Sequence, residues 1–325
     1  MNPKADTRSR VLVADGLQKS YGPRPALRGL SLTLDAGRIL GFLGPNGAGK
    51  TTSIRILTTI MEPDSGTFAV DGISHHHPDQ IRRRIGVLPE SFGLPKQMTG
   101  IEYLTYFGQL YGRSGRDARA YGVQLLEEVG LAQRGKSLVG TYSHGMRQRI
   151  GIARALVNDP SVVFLDEPTL GLDPRGQQEL RELVKRIARD RNAGVILCSH
   201  MLPEVESVCD DVVILSSGEV VAQGPVGDVT GKAERNVIRV RVPVSDMAEA
   251  QREVEALPAV KRAVIGSGQP GWLRVEVDEA RGDGELLSNR ILDALIRAGI
   301  PILGFEPQSG RLQDVFLDLT AKQLK

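Results

Sequence analysis

The run Gly44-Pro45-Asn46-Gly47-Ala48-Gly49-Lys50-Thr51-Thr52 sets Gly44 and Gly49 with four residues between them, then a lysine and two hydroxyls. Glycines let backbone N–H groups converge on phosphate oxygens, a lysine there reaches the β- and γ-phosphates, and the Thr51 hydroxyl can ligate Mg²⁺. A second stretch, Ser161 to Pro168 (SVVFLDEP), is apolar and ends in two carboxylates, Asp166 and Glu167. Such acids are costly to bury unless a metal or a protein donor compensates. Asp166 would then hold Mg²⁺ through water, and Glu167 would orient or deprotonate the attacking water at the γ-phosphate. Together the two motifs predict a nucleoside triphosphate, with Mg²⁺, as the ligand.

These residues need a strand on one side and a helix on the other. Ile39 to Leu43 reads as a short buried strand, and a helix is predicted from Lys50 to about Ile60, aiming the positive end of its dipole at the glycine loop. From Val11 to about Gln223, β-branched runs alternate with amphipathic segments, the rhythm of an α/β fold. Val11–Leu17 and Gly29–Leu34 read as early strands, and residues 94–157 as a mainly helical insertion. Met146, Ile150, Ala153 and Val157 step at helical spacing, so Ser143 and Gly145 sit just before a helix and offer its N-terminus to an anion. Two more strands are expected near Val195–Cys198 and Val212–Leu215. The organisation that follows is a polar tail over 1–10, a nucleotide-binding domain over 11–223, a Gly-rich polar linker over 224–235, and a small domain over 236–325. That last part alternates as β-α-β-β-α-β, which predicts a ferredoxin-like α+β unit.

What separates one phosphate-loop protein from another lies between and after the two motifs. Here it is YSHGMRQR, Tyr142 to Arg149, followed beyond Asp166 by GLDP, Gly171 to Pro174. With these in place the sequence resembles the ATP-binding cassette family over about Val11 to Gln223. The resemblance implies a P-loop NTPase cassette that hydrolyses ATP as a head-to-tail homodimer. Lys50 of one copy and the signature residues Ser143, His144, Gly145 and Met146 of the other would close on one γ-phosphate. It further implies that Asp173 makes a contact across the dimer, that His200 in CSH touches the γ-phosphate, and that Tyr21 in KSYG stacks on adenine. Two positions depart from the family pattern. His144 stands where the family usually has a glycine, and Glu90, in VLPES, stands where it usually offers a glutamine to Mg²⁺; a carboxylate can still ligate that ion. The variant signature, the single cassette and the C-terminal domain ending in LQDVFLDLT, Leu312 to Thr320, resemble the ATPase subunits of bacterial drug-resistance export systems. That implies a separate transmembrane permease, export of drugs, lipids or other hydrophobic substrates, and a place at the cytoplasmic face of the cell membrane.

Composition narrows the alternatives. Lys and Arg number 41 against 39 Asp and Glu, a net charge of +2, and aromatics are 4% of the 325 residues, so neither a polyanion field nor a base-stacking platform is present. No nucleic-acid partner is expected, which weighs against a soluble cassette acting on nucleic acid or ribosomes. A guanine-nucleotide switch lacks its NKxD-type base-reading motif. Cys198 and Cys209, the only cysteines, lie in or beside apolar runs and read as buried thiols of a reducing compartment. The first ten residues carry no apolar secretory core, and no aliphatic run approaches the roughly 18 residues that cross a bilayer. Three adjacent histidines, His75 to His77, do not converge on one ion and are read as a loop.

Overall fold

The computed structural model describes residues 9–232, 237–265, 271–277, 284–308, 312–313 and 315–316. Residues 1–8 of the polar tail, 233–235 of the linker, and 314 and 317–320 of the C-terminal LQDVFLDLT stretch lie outside the described residues. The chain divides after Val226, and Gly227–Val315 forms a second unit.

In the first unit β1 (Arg10–Tyr21), β2 (Arg24–Asp35) and β3 (Ile39–Leu43) lead into α1 (Lys50–Leu57). Then come β4 (Ser65–Val70), β5 (Ile73–Ser74), α2 (Pro78–Arg82) and β6 (Ile85–Leu88). Three helices follow, α3 (Gly100–Leu110), α4 (Gly115–Glu128) and α5 (His144–Ala155). The chain continues as β7 (Val162–Asp166), α6 (Pro174–Arg191), β8 (Gly194–Cys198), α7 (Leu202–Val208), β9 (Asp211–Ser216) and β10 (Glu219–Pro225), and α8 (Val226–Lys232) then begins the second unit.

Two sheets result. One is antiparallel, in the order β2-β1-β4-β5; the other runs β10-β9-β3-β8-β7-β6 and is parallel except at the β10–β9 edge. All five residues of β3 and of β8 are buried, as expected of central parallel strands covered on both faces. Leu12, Leu30 and Phe68 of the first sheet join Phe42, Phe164 and Ile196 of the second, with Ile56 of α1, in one core. The strand that carries the glycine loop and the strand that carries Asp166 both flank β8, so this core fixes the two motifs relative to each other.

Local chemistry sets several boundaries. α1 stops at Leu57, short of Ile60: Thr58 Oγ1 donates to the Ile54 carbonyl at 2.7 Å, and Thr59 turns into the left-handed region at φ 61°. The early strands run longer than their apolar alternation, because Tyr21 pairs with Arg24 and closes a hairpin over Gly22. The stretch read as linker from 224 instead holds the last residues of β10 and all of α8. Gly224 and Pro225 look like a break in sequence, but an edge strand tolerates both. In the helical insertion, Thr99 and Glu102 form a reciprocal capping box on α3, and the Ser114 hydroxyl accepts from Asp117 N–H at 3.1 Å to cap α4.

Arg191, at the end of α6, ties this insertion to the core. Its guanidinium donates to both carboxylate oxygens of Glu128 on α4, at 2.8 and 2.5 Å, and to Asp159 and the Tyr121 hydroxyl at 3.0 and 2.9 Å. The largely buried bidentate pair raises the Arg191 pKa well above its ordinary value, chiefly through Glu128, so it is charged at every accessible pH. Arg191→Met would leave a half-buried carboxylate without its cation, a loss of about 2 kcal/mol for a pair between surface and interior. The melting temperature should fall by roughly 4–8 °C in calorimetry; an unchanged value would mean solvent already satisfies Glu128.

The second unit runs β11 (Val237–Arg241), α9 (Met247–Glu255), β12 (Val260–Ile265), β13 (Trp272–Val277), α10 (Gly284–Arg297) and β14 (Gly304–Gln308). Its sheet is antiparallel in the order β12-β13-β11-β14. With the two crossover helices packed on one core, which includes Val240, Val254, Val275, Ile291 and Leu295, this is the ferredoxin-like arrangement. The last strand lies at Gly304–Gln308.

Candidate nucleotide site

The loop between β3 and α1 is shaped by what a side chain would strike. Gly49 caps α1 at φ 108°, and a Cβ there would lie 2.5 Å from the Ala26 carbonyl oxygen, so only glycine fits. Ala48 is buried and its N–H donates to the Pro45 carbonyl at 3.1 Å. Lys50 Nζ donates back to the carbonyls of Gly44 at 2.5 Å and Pro45 at 3.2 Å, which holds the ammonium over the loop.

Asn46, Gly47, Gly49, Lys50, Thr51 and Thr52 line a cavity of about 850 Å³. Asp166, Glu167, Glu90, His200 and Tyr21, distant from them in sequence, line the same cavity. Gly44, Pro45 and Ala48, expected to bind nucleotide with the rest of the loop, are not among the residues lining this cavity. Tyr21, at the end of β1, is 48% exposed, with its hydroxyl 3.3 Å from Met61 Sδ, so its ring face is available at the cavity mouth. Arg24, across the hairpin, and Leu170 also line the cavity. Sequence reasoning passed over both; the hairpin that brings Arg24 beside Tyr21 is a tertiary fact.

The acids form a crowded floor. Burial raises the Asp166 pKa above the ordinary carboxylate range, and the charges of Glu90 and Glu167 push it the same way; a backbone hydrogen bond from Glu90 and the Lys50 charge oppose them. An acid with a raised folded-state pKa favours folding below its unfolded pKa, and that advantage is lost as pH rises through the folded value. Asp166→Asn should therefore be more stable than the parent at neutral pH without nucleotide or divalent cation. The gap should close as the pH falls below the ordinary carboxylate range. Paired melting curves across pH check this; a variant no more stable at pH 7 would contradict it.

Glu167 adopts φ 47°, rare for a residue with a side chain and of the kind kept at working sites at a cost of about 1–3 kcal/mol. Its N–H donates to the Cys198 carbonyl at 2.9 Å. His200 Nδ1–H donates to Glu167 Oε2 at 2.8 Å, and the histidine is 60% exposed while the glutamate is 15% exposed. Behind His200 lies a clamp that sequence reasoning missed. Ser199 Oγ donates to the buried Glu204 carboxylate at 2.6 Å and accepts Met201 N–H at 3.1 Å, fixing the turn on both sides of the imidazole. A glutamate four residues after the histidine, on the buried side of α7, was the available signal.

Among the described residues, none of Ser143, His144, Gly145, Met146 or Asp173 lines this cavity. Ser143 caps α5, its Oγ accepting Met146 N–H at 3.3 Å; Gly145 lies inside the first turn of that helix, not before it. The Asp173 carboxylate caps α6 by accepting Gly176 N–H at 3.0 Å. His75 stacks on Phe68 with ring centroids 5.2 Å apart.

A glycine cradle at a helix start, opposite a strand-end acid pair, defines a phosphate-loop nucleoside triphosphatase. Residues 27–170 match the ABC transporter family. The daunorubicin/doxorubicin resistance ATP-binding protein DrrA of Streptomyces peucetius is 35% identical over 314 residues, 96% of this chain and 93% of that one. The linearmycin resistance ATP-binding protein LnrL of Bacillus subtilis is 31% identical over 97% of this chain and its own entire length. Among solved structures, an ATP-binding subunit of an ABC transporter is 31% identical with a TM-score of 0.61, covering 68% of this chain and 92% of that one. The chain belongs to the ABC transporter family and is one of its ATP-binding, ATP-hydrolysing subunits.

Proposed function

We propose that this chain powers the export of drugs or other hydrophobic compounds through a separate membrane-spanning permease, working as a pair of identical cassettes at the cytoplasmic face of the membrane. One observation carries the two-copy reading: the cavity is lined by Lys50, Asp166, Glu167 and His200, and the signature residues are not among its lining. A second copy turned head to tail would supply them. The export reading rests on likeness to two resistance ATP-binding proteins over nearly the whole length, C-terminal unit included. No helix among the described residues is long and apolar enough to cross a membrane.

Within the pocket, Tyr21 would stack on the base and the backbone N–H groups of 46–52 would receive the phosphates. Lys50 would exchange its loop carbonyls for β- and γ-phosphate oxygens. Thr51, Asp166 and Glu90 form a hard oxygen set that suits Mg²⁺, which takes one or two carboxylates and fills its shell with phosphate and water. When bound, that ion would neutralise charge on the phosphates. Glu167, held by His200, would orient the attacking water and take its proton.

Export is tested in cells. Deleting the gene should raise accumulation of a fluorescent apolar drug, the intact chain should reverse this, and a Lys50→Ala chain should not. Unchanged accumulation across a panel of apolar and amphipathic compounds would remove the export reading.

A further inference from the structure

His144 does something in its own chain that a glycine there could not. Its Nε2 lies 2.8 Å from the Leu170 carbonyl oxygen; as carbonyls only accept, that nitrogen carries the proton and donates. Leu170 belongs to the turn after β7, where Leu170 N–H donates to the Glu167 carbonyl at 3.2 Å and Leu172 N–H to that of Thr169 at 3.2 Å. Gly171 in this turn has φ 75°, and a Cβ there would stand 3.3 Å from His144 Nε2. A Cβ on Gly145 would meet Leu172 Cδ2 at 3.4 Å, so the start of α5 rests directly on the turn.

In a head-to-tail pair these two ends serve different pockets. Glu167 works in its own cavity, while Ser143 and His144 face the phosphate held by the partner. We infer that His144 is a positioning residue that couples the two ATP pockets, by fastening the signature helix to the turn that carries Glu167. Filling one pocket and settling its Glu167 would then set the signature helix offered to the other, and the reverse. This rests on the two-copy reading above.

A mixed pair separates the idea from simple phosphate contact. Combine full-length protomers carrying Lys50→Ala with protomers carrying Ser143→Asp. Each mixed pair keeps one complete pocket, made of Lys50 and Glu167 of the Ser143→Asp protomer and the signature of the other. His144→Ala is then added to the Ser143→Asp protomer, whose signature faces the dead pocket but whose Leu170 turn adjoins the live one. Coupling through the turn predicts a roughly two- to tenfold drop in the remaining turnover, the scale of one hydrogen bond. ATP binding by single protomers and the melting temperature should be unchanged. His144→Gln, whose amide can donate to the same carbonyl, should restore most of the loss. If His144→Ala leaves the live pocket at full rate, or glutamine does no better than alanine, the inference is wrong while the two-copy pocket stands. If the mixed pair shows no turnover even with His144 intact, and Glu167→Gln stays a monomer in saturating ATP, the two-copy reading fails and takes this inference with it.

Discussion

Glu167→Gln should lower steady-state ATP hydrolysis by roughly 10²- to 10⁴-fold, the usual worth of a positioned base, while leaving ATP binding intact. The amide keeps the shape of the carboxylate and can still meet His200, but it cannot take a proton from water. If, as the two-copy reading proposes, closure needs ATP and reopening needs its hydrolysis, the variant should accumulate as an ATP-bound dimer. Light scattering in ATP and Mg²⁺ reads this directly. A Glu167→Gln protein that remains a monomer at saturating ATP would break the two-copy reading, and full turnover would remove Glu167 from the chemistry.

The second large effect concerns Lys50. Its ammonium, already poised on the Gly44 and Pro45 carbonyls, is held over the loop where the phosphates would sit. Lys50→Ala should cost roughly 10²- to 10³-fold in turnover, as expected for removing a preorganised donor from a developing charge. Ser143→Asp should be equally damaging for a different reason. Aspartate caps a helix about as well as serine, so α5 should survive, but its charge would repel the partner's phosphate. Mixed in equal amounts, the two inactive proteins should recover activity up to about one quarter of the parental value, the ceiling set by half the pairs being mixed with one complete pocket each, and coupling between pockets lowers it from there. Independent pockets within single chains would give no recovery at all.

The cassette was legible because its chemistry is local. A glycine loop between a buried strand and a helix, and two acids ending an apolar run, announce themselves within ten residues. What could not be read depends on contacts far apart in sequence. Asp173 before Pro174 was a local helix-start signal that went unused, since its carboxylate caps α6 three residues on; nothing in VLPES, by contrast, says that Glu90 faces the Asp166 carboxylate. The left-handed backbone at Glu167 and the buried Ser199–Glu204 clamp depend on packing around β8 and α7. β10 went unread because glycine and proline mark boundaries in most contexts, whereas here they close an edge strand paired with β9. His144 was noticed as an oddity of the signature, yet its partner, a backbone carbonyl 26 residues away, was visible only in three dimensions.

The crowding of Glu90, Asp166 and Glu167 around one lysine has a consequence for how the subunit is loaded in a cell. A floor this electronegative is a poor host for bare, highly anionic ATP and a good one for the chelated form, whose two extra positive charges offset the repulsion. The subunit would thus answer to the ratio of free magnesium to nucleotide as well as to nucleotide itself, and magnesium starvation would idle the pump even where energy charge is high.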